Sequence, residues 1–164
     1  MLGAAALVLT VEPPTRPTGP QSVRGPRVLR VQPHRVRRLE LAGGTRRLVA
    51  VRAAGGWTLD GQPADAGMAE ALDALVQTLA TLRALDAFRP GDRAALGLNP
   101  PAATLAVSTG TRERRLALGA PNAAGNAFYV ARAGHPRVFL VGTGMLSAID
   151  RVFYQQDLAA KTPR

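Results

Sequence analysis

From Val36 to Asp60, apolar residues fall into short runs broken by glycine pairs, the rhythm of half-buried strands joined by tight turns. Val36, Leu39 and Leu41 lead to a Gly43-Gly44 turn, and Leu48, Val49 and Val51 lead to another at Gly55-Gly56. Trp57 and Leu59 then alternate with Thr58 and Asp60, which predicts a three-stranded meander with Trp57 as a core anchor. Between 64 and 85 the period changes. Met68, Leu72, Leu75, Val76, Leu79 and Leu82 recur at intervals of three and four, while Glu70, Asp73 and Arg83 take other positions. This is an amphipathic helix of about five turns. Asp65 stands near its start, where the helix dipole favours a carboxylate. The stripe suits a cover for the meander.

Asp92 to Leu96 could form a short helical turn, stopped by Gly97 and then by Asn99-Pro100-Pro101, which forces an extended exit. Strands return at Leu105 and Val107, at Leu116 and Leu118 after Gly110, at Phe128 to Ala131, and at Val138 to Val141 after Gly134-His135-Pro136. Met145 to Tyr154 resumes a helical rhythm through Leu146, Ile149 and Val152 or Phe153. The order βββ-α-ββββ-α predicts an α+β fold with mainly antiparallel pairing and helices packed on the sheet. Gly44-Thr45-Arg46-Arg47-Leu48 is echoed by Gly110-Thr111-Arg112 running on to Arg115-Leu116, so two pseudo-repeated halves and a chance likeness of two Arg-rich hairpins are both open.

The front of the chain reads differently. Leu2 to Val11 is an uncharged apolar run, too short for the roughly 20 residues that a spanning helix needs. Only Met1 precedes it, without the positive charge that opens a signal peptide. Two readings stand for residues 1–12: the remnant of a membrane helix, or a buried strand or frayed end. Residues 13–34 carry prolines at 13, 14, 17, 20, 26 and 33 and read as an extended, semi-rigid linker. Residues 35–158 form the expected single domain and 159–164 a frayed tail. At 164 residues the chain holds one sizeable core and not two.

Charge adds one feature. The formal net charge is +10. Residues 1 to 53 hold ten arginines against Glu12 and Glu40. Lys161 is the only lysine, so part of the basicity reflects a bias toward Arg, Ala, Gly and Pro. Arg16, Arg24, Arg27 and Arg30 lie along the linker, where they would favour anionic headgroups or phosphates at roughly 1 kcal/mol per charge near a membrane surface. A solvated linker of biased composition explains each one singly.

Candidate chemistry is sparse. The chain has no cysteine, which excludes disulfides, thiolate metal sites and Cys nucleophiles. His34 sits in the linker and His135 in a Gly-His-Pro turn, with no carboxylate at ligand-like spacing to either. Ser22, Ser108 and Ser147 lie outside any strand-to-helix nucleophile elbow. Solvated faces explain the Asp60/Asp65 and Asp150/Asp157 pairs. Gly142-Thr143-Gly144 precedes a helix but lacks the further glycines and lysine of a phosphate loop. Phe128, Tyr129 and Arg132 beside Arg114 and Arg115 are the one set that could stack on and hold nucleic acid, and core packing accounts for those aromatics better. No catalytic, cofactor-binding or metal-binding residue is therefore expected.

Three stretches together resemble a known bacterial family. They are Gly55-Gly56-Trp57-Thr58-Leu59 with the Ala64-Asp65 helix; Ala95-Leu96-Gly97-Leu98-Asn99-Pro100-Pro101 leading into Thr104-Leu105-Ala106-Val107; and Leu118-Gly119 with Phe128-Tyr129-Val130 and Val138-Phe139-Leu140-Val141. Over residues 36 to 155 they are similar to the family called domain of unknown function 4340. The resemblance implies one N-terminal membrane helix, a soluble α+β domain outside the cytoplasm and, in some members, a link to ABC-type transport of the gliding-motility kind. It supplies no catalytic residue. The expectation is thus a non-catalytic extracytoplasmic scaffold or binding module, tethered to the membrane through its N-terminus and serving a protein partner in the envelope. A soluble, basic nucleic-acid-binding domain is the alternative.

Overall fold

A computed structural model describes residues 25–161. Strands β1 (Arg38–Gly43), β2 (Arg46–Ala53) and β3 (Gly56–Leu59) make the expected meander, and a two-residue strand β4 (Gln62–Pro63) extends it. Helix α1 (Ala66–Thr81) follows. Asp65 is its N-cap: one carboxylate oxygen accepts the Met68 N–H at 2.8 Å, meeting an otherwise orphaned donor and the helix dipole together. Then come β5 (Asp86–Phe88), β6 (Ala103–Ser108), β7 (Glu113–Pro121), β8 (Ala127–Arg132), β9 (Val138–Gly142) and α2 (Gly144–Lys161).

These nine strands form one antiparallel sheet in the order β4-β3-β2-β1-β6-β7-β8-β9-β5. Alternation turns Leu39, Leu41, Leu105, Val107, Val130 and Val141 to one face, where they share a core with the apolar stripes of both helices. The α+β class and the helix-on-sheet layering follow the sequence pattern.

The halves β1-β2-β3-β4-α1 and β6-β7-β8-β9-α2 are built alike and meet where β1 pairs with β6. Their central pair, Glu40 with Ala106, lies 66 positions apart, as do Gly44 and Gly110. The same shift turns the β1–β2 pair Leu39 and Ala50 into the β6–β7 pair Leu105 and Leu116. The helices repeat one buried stripe: Met68, Leu72, Leu75 and Val76 match Met145, Ile149, Val152 and Phe153 in spacing.

Several boundaries differ from the sequence reading. Helix α1 ends at Thr81, not 85, because Arg83 bridges to Arg27 and Asp86–Phe88 leaves to pair with β9. Residues 92–96 make only a turn; the Asp92 carboxylate caps the Ala94 N–H at 2.8 Å, and Gly97 at φ +65° ends it. Helix α2 runs past Tyr154 to Lys161, held by Asp157 on Arg46 at 2.6 Å and by the Gln156 amide donating to the Arg47 carbonyl at 3.2 Å. Residues 159–161 are thus helix, not tail.

The largest departure concerns the linker expected over 13–34. From Gly25 onward the chain belongs to the body: Val28 and Leu29 are 0% exposed. The Val28 N–H donates to the Leu82 carbonyl at 3.1 Å, and the Ala84 N–H to the Pro26 carbonyl at 3.0 Å. Burying Val28, Leu29 and Val36 outweighs the pull of the prolines toward solvent, since proline keeps its carbonyl as an acceptor. Residues 1–24, with the apolar run, Arg16, Arg24 and Ser22, lie outside the described residues, as do 162–164.

The Gly-Leu-Asn-Pro-Pro stretch has a structural role. Leu96 and Leu98 press on Ala117, Tyr129, Ala131 and Val138 on the sheet face opposite the helices. The Ala120 N–H donates to the Leu96 carbonyl at 2.9 Å, beside an irregularity in β7 between Leu118 and Pro121. A Cβ on Gly119 would stand 2.3 Å from the Leu96 oxygen, so only glycine admits this contact. We expect Gly119→Ala to cost about 1–3 kcal/mol in urea unfolding by overpacking, and Leu98→Ala about 2–5 kcal/mol by cavity formation. Gly55→Ala, which meets open space, should stay within about 0.5 kcal/mol of the parent.

Candidate anion-binding groove

The start of β1 lies beside the end of β6: Arg38 pairs with Ser108, and the Arg37 N–H donates to the Ser108 carbonyl at 2.8 Å. The segment 26–35 therefore runs alongside the turn Thr109–Arg112 that joins β6 to β7. Between them opens a groove of about 950 Å³ lined by Arg27, Arg30, Arg35, Arg83, Arg112 and Arg114. Past Arg27, Arg30 and Arg114 it continues into a second concavity of about 430 Å³, whose far wall holds Arg132, His135 and Arg137. Among the described residues no carboxylate lines either part.

Two of these eight arginines hold the wall in place. Arg83 donates to the Gly25 carbonyl at 3.0 Å, and Arg132 to the Val28 carbonyl at 3.3 Å. Among the described residues, none of Arg27, Arg30, Arg35, Arg112, Arg114 and Arg137 forms an ion pair; the paired arginines are 38, 46, 47, 52, 115 and 151. Glu113, next to Arg114 in sequence, is engaged by Arg115 at 2.5 Å. Converging guanidinium groups in a concave, carboxylate-free surface raise the local positive potential and present fork-shaped donors suited to phosphate or carboxylate.

The other candidates do not converge. His34 lies in the 3-10 turn Pro33–Arg35 and lines a cleft beside Trp57, whereas His135 lines the arginine groove. The His135 Nδ1 accepts the Arg137 N–H at 3.2 Å, and its ring lies 5.2 Å from that of buried Phe139. Ser108 is paired within the sheet and the Ser147 hydroxyl donates to the Thr143 carbonyl at 3.4 Å. Asp60 occupies a turn, Asp65 caps α1, Asp150 is exposed and Asp157 holds Arg46. Gly142-Thr143-Gly144 is the direct link from β9 into α2. Phe128 is buried in the main core and Tyr129 packs edge-on against Phe88, 6.2 Å between centroids, so neither forms a stacking platform with Arg132. Among the described residues no three His, Asp or Glu gather in a way that could hold a metal ion.

Trp57 anchors the core at 4% exposure, and its indole N–H donates to the Asp73 carboxylate at 2.9 Å. Arg52 bonds to the same carboxylate, lies 4.4 Å over the indole ring, and donates to the Pro33 carbonyl at 3.4 Å, so it ties the N-terminal segment to α1. Asp73→Ala leaves a buried indole donor unpaired and is expected to cost about 1–3 kcal/mol by thermal or urea unfolding.

On the opposite sheet face Glu40 joins Arg47 at 2.7 Å and Arg38 at 3.5 Å. The Arg47 hydrogen bond, with the charges of Arg47 and Arg38, holds its carboxyl below the usual carboxylate range against the opposing effect of desolvation. A carboxyl that ionises more readily in the folded state stabilises fully above its unfolded pKa and stops doing so as pH falls through the lower folded value. The melting-temperature advantage of the parent over Glu40→Gln should accordingly be largest near neutrality and vanish in acid; an advantage that grows in acid would contradict this linkage.

In the sequence Arg83 reads only as a polar helix position and Arg112 only as part of a hairpin echo, and Arg137 is not singled out. Nothing in their spacing announces that they meet, since they stand after α1, in a turn and ahead of β9. The signal that was legible is the excess of arginine over acid in residues 1–53, of which Arg27, Arg30 and Arg35 do line the groove.

Neither a curated protein nor a solved structure matches the chain. A family model matches residues 69–154, from α1 through the loop, β6 to β9 and most of α2. That stretch is more than half of the chain, and its Gly-Leu-Asn-Pro-Pro loop, central strands and second helix are those described above; the protein belongs to the family described as domain of unknown function (DUF4340).

Proposed function

We propose that this chain is a non-catalytic binding module of the bacterial cell envelope, tethered to the membrane through its N-terminal side and exposed on the extracytoplasmic face, where it serves as an accessory to an ABC-type transport system. The observation that carries the reading is where the chain joins its fold. Gly25 and Pro26 stand at the arginine groove, and the sequence just upstream is an apolar run followed by a proline-rich segment. Residues 12–24 reach at most about 45 Å at full extension, so membrane contact by Leu2–Val11 would keep the groove within that distance of the bilayer. No helix among the described residues is long and apolar enough to cross a membrane. The family resemblance, with its single membrane helix and outward-facing domain, supports the same arrangement.

A second reading, a nucleic-acid-binding domain, draws on the eight groove arginines. It requires binding that weakens steeply with salt. Among the described residues the rings that line the groove are buried Phe139 and half-buried His135, packed on each other at 5.2 Å, and no Trp or Tyr lines it, which favours the envelope reading.

Fractionation of cells producing the natural protein tests the proposal. It should sediment with membranes, resist a high-salt wash, dissolve in detergent, and be cut by protease supplied from outside the cytoplasm. Recovery in the soluble cytoplasmic fraction would defeat it.

A further inference from the structure

We infer that the arginine groove is a multi-site phosphate receptor that seats on the headgroups of anionic phospholipids, so that the domain lies against the bilayer by this face. The nearness of the bilayer rests on the tethered reading above; the chemistry rests on the groove.

The two halves of the fold supply an internal comparison. The 66-residue shift takes the β1–β2 pair Gly43 and Arg46 to Thr109 and Arg112, where the Thr109 N–H donates to the Arg112 carbonyl at 3.0 Å. Arg46 and Arg112 thus hold matching places in two hairpins at opposite ends of the β1–β6 pair. At the first end, Arg46 is neutralised by Asp157 at 2.6 Å and lies 5.4 Å over the Phe153 ring, while Arg47 is neutralised by Glu40. At the other end, Arg112 and Arg114 have no carboxylate partner among the described residues, and Arg27, Arg30 and Arg35 are brought up against them. The fold can neutralise an arginine here from within, and at the groove it gathers like charges instead.

Gathered like charges repel, and an anion is what offsets that cost. The occupant needs several phosphates, because the six arginines without ion pairs are spread over two joined concavities. It needs no bases, because the rings in the groove, half-buried His135 and buried Phe139, pack on each other rather than stand free to stack. Phospholipid headgroups offer many phosphates side by side. An upstream apolar run that reaches a bilayer would also hold the groove at high effective concentration over them.

The test uses the full chain and sedimentation with large vesicles, of phosphatidylcholine alone and of phosphatidylcholine mixed with phosphatidylglycerol. We expect stronger partition onto the anionic vesicles. Arg30 and Arg112 are exposed, and neither side chain forms a hydrogen bond or ion pair with the described residues, so R30Q/R112Q should fold normally by circular dichroism. It should lose about fivefold in partition for each charge removed. R89Q/R151Q removes the same charge away from the groove and should bind the anionic vesicles like the parent.

Equal partition onto neutral vesicles would overturn the inference, as would an equal loss in R89Q/R151Q. Tighter binding to duplex oligonucleotide than to anionic vesicles at one ionic strength, lost in R30Q/R112Q, would assign the groove to nucleic acid. The two proposals fail separately. A cytoplasmic protein that keeps the vesicle preference sinks only the tether, and a membrane-held one whose R30Q/R112Q variant partitions like the parent sinks only the groove.

Discussion

The antiparallel pairing of β1 with β6 is the contact on which the rest of the structure depends. It joins two strand-helix units of like construction into one sheet and lets α1 and α2 pack side by side over a single core. Each unit alone would be a four-stranded meander with one helix and raw sheet edges, a poor burial of apolar surface. The pairing also decides what lies at the sheet ends. Because Arg38 stands opposite Ser108, the segment entering β1 and the turn leaving β6 become neighbours although some 70 residues separate them. The arginine groove is a consequence of that register.

Register explains as well why the two ends differ. Where β1 turns into β2, the last turns of α2 come within reach and bring Asp157 and Gln156 to Arg46 and Arg47. Where β6 turns into β7, the neighbour is the N-terminal segment 26–35, which carries arginines and no acid. One structural plan used twice thus yields a neutral end and a cationic one, and what differs is the chain packed against the hairpin.

How much of this the sequence discloses depends on the length of each signal. Helix α1 shows six apolar positions on one stripe, and β1 to β3 alternate between glycine turns, so both are legible. The three residues of β5 are too few for any period to show; they are strand because β9 offers an edge. Prolines dominate the reading of 13–34, yet Val28 and Leu29 lie among the last of them. A pair of adjacent large apolar residues in a proline-rich run is a local hint of docking, and composition averaged over the segment conceals it. Trp57 was legible as an anchor from its place after a turn, whereas its partner Asp73 was not, since a carboxylate on the polar side of a helix normally faces water.

The groove was the least legible feature, for a physical reason. A core is written as period, because every element must turn apolar residues the same way, and periods can be read one element at a time. A charged surface has no such requirement: Arg27, Arg83, Arg112 and Arg137 come from four separate stretches, and each alone is an ordinary solvated residue. What distinguishes them is the missing counter-charge, which shows only once the fold has paired five carboxylates with Arg46, Arg47, Arg52, Arg115 and Arg151 and, among the described residues, placed no other at the groove. In a chain with 21 Lys and Arg against 11 Asp and Glu, some arginines go without a carboxylate of their own. That they share one concave surface, beside the point where the chain joins its fold, is the information the three-dimensional structure adds.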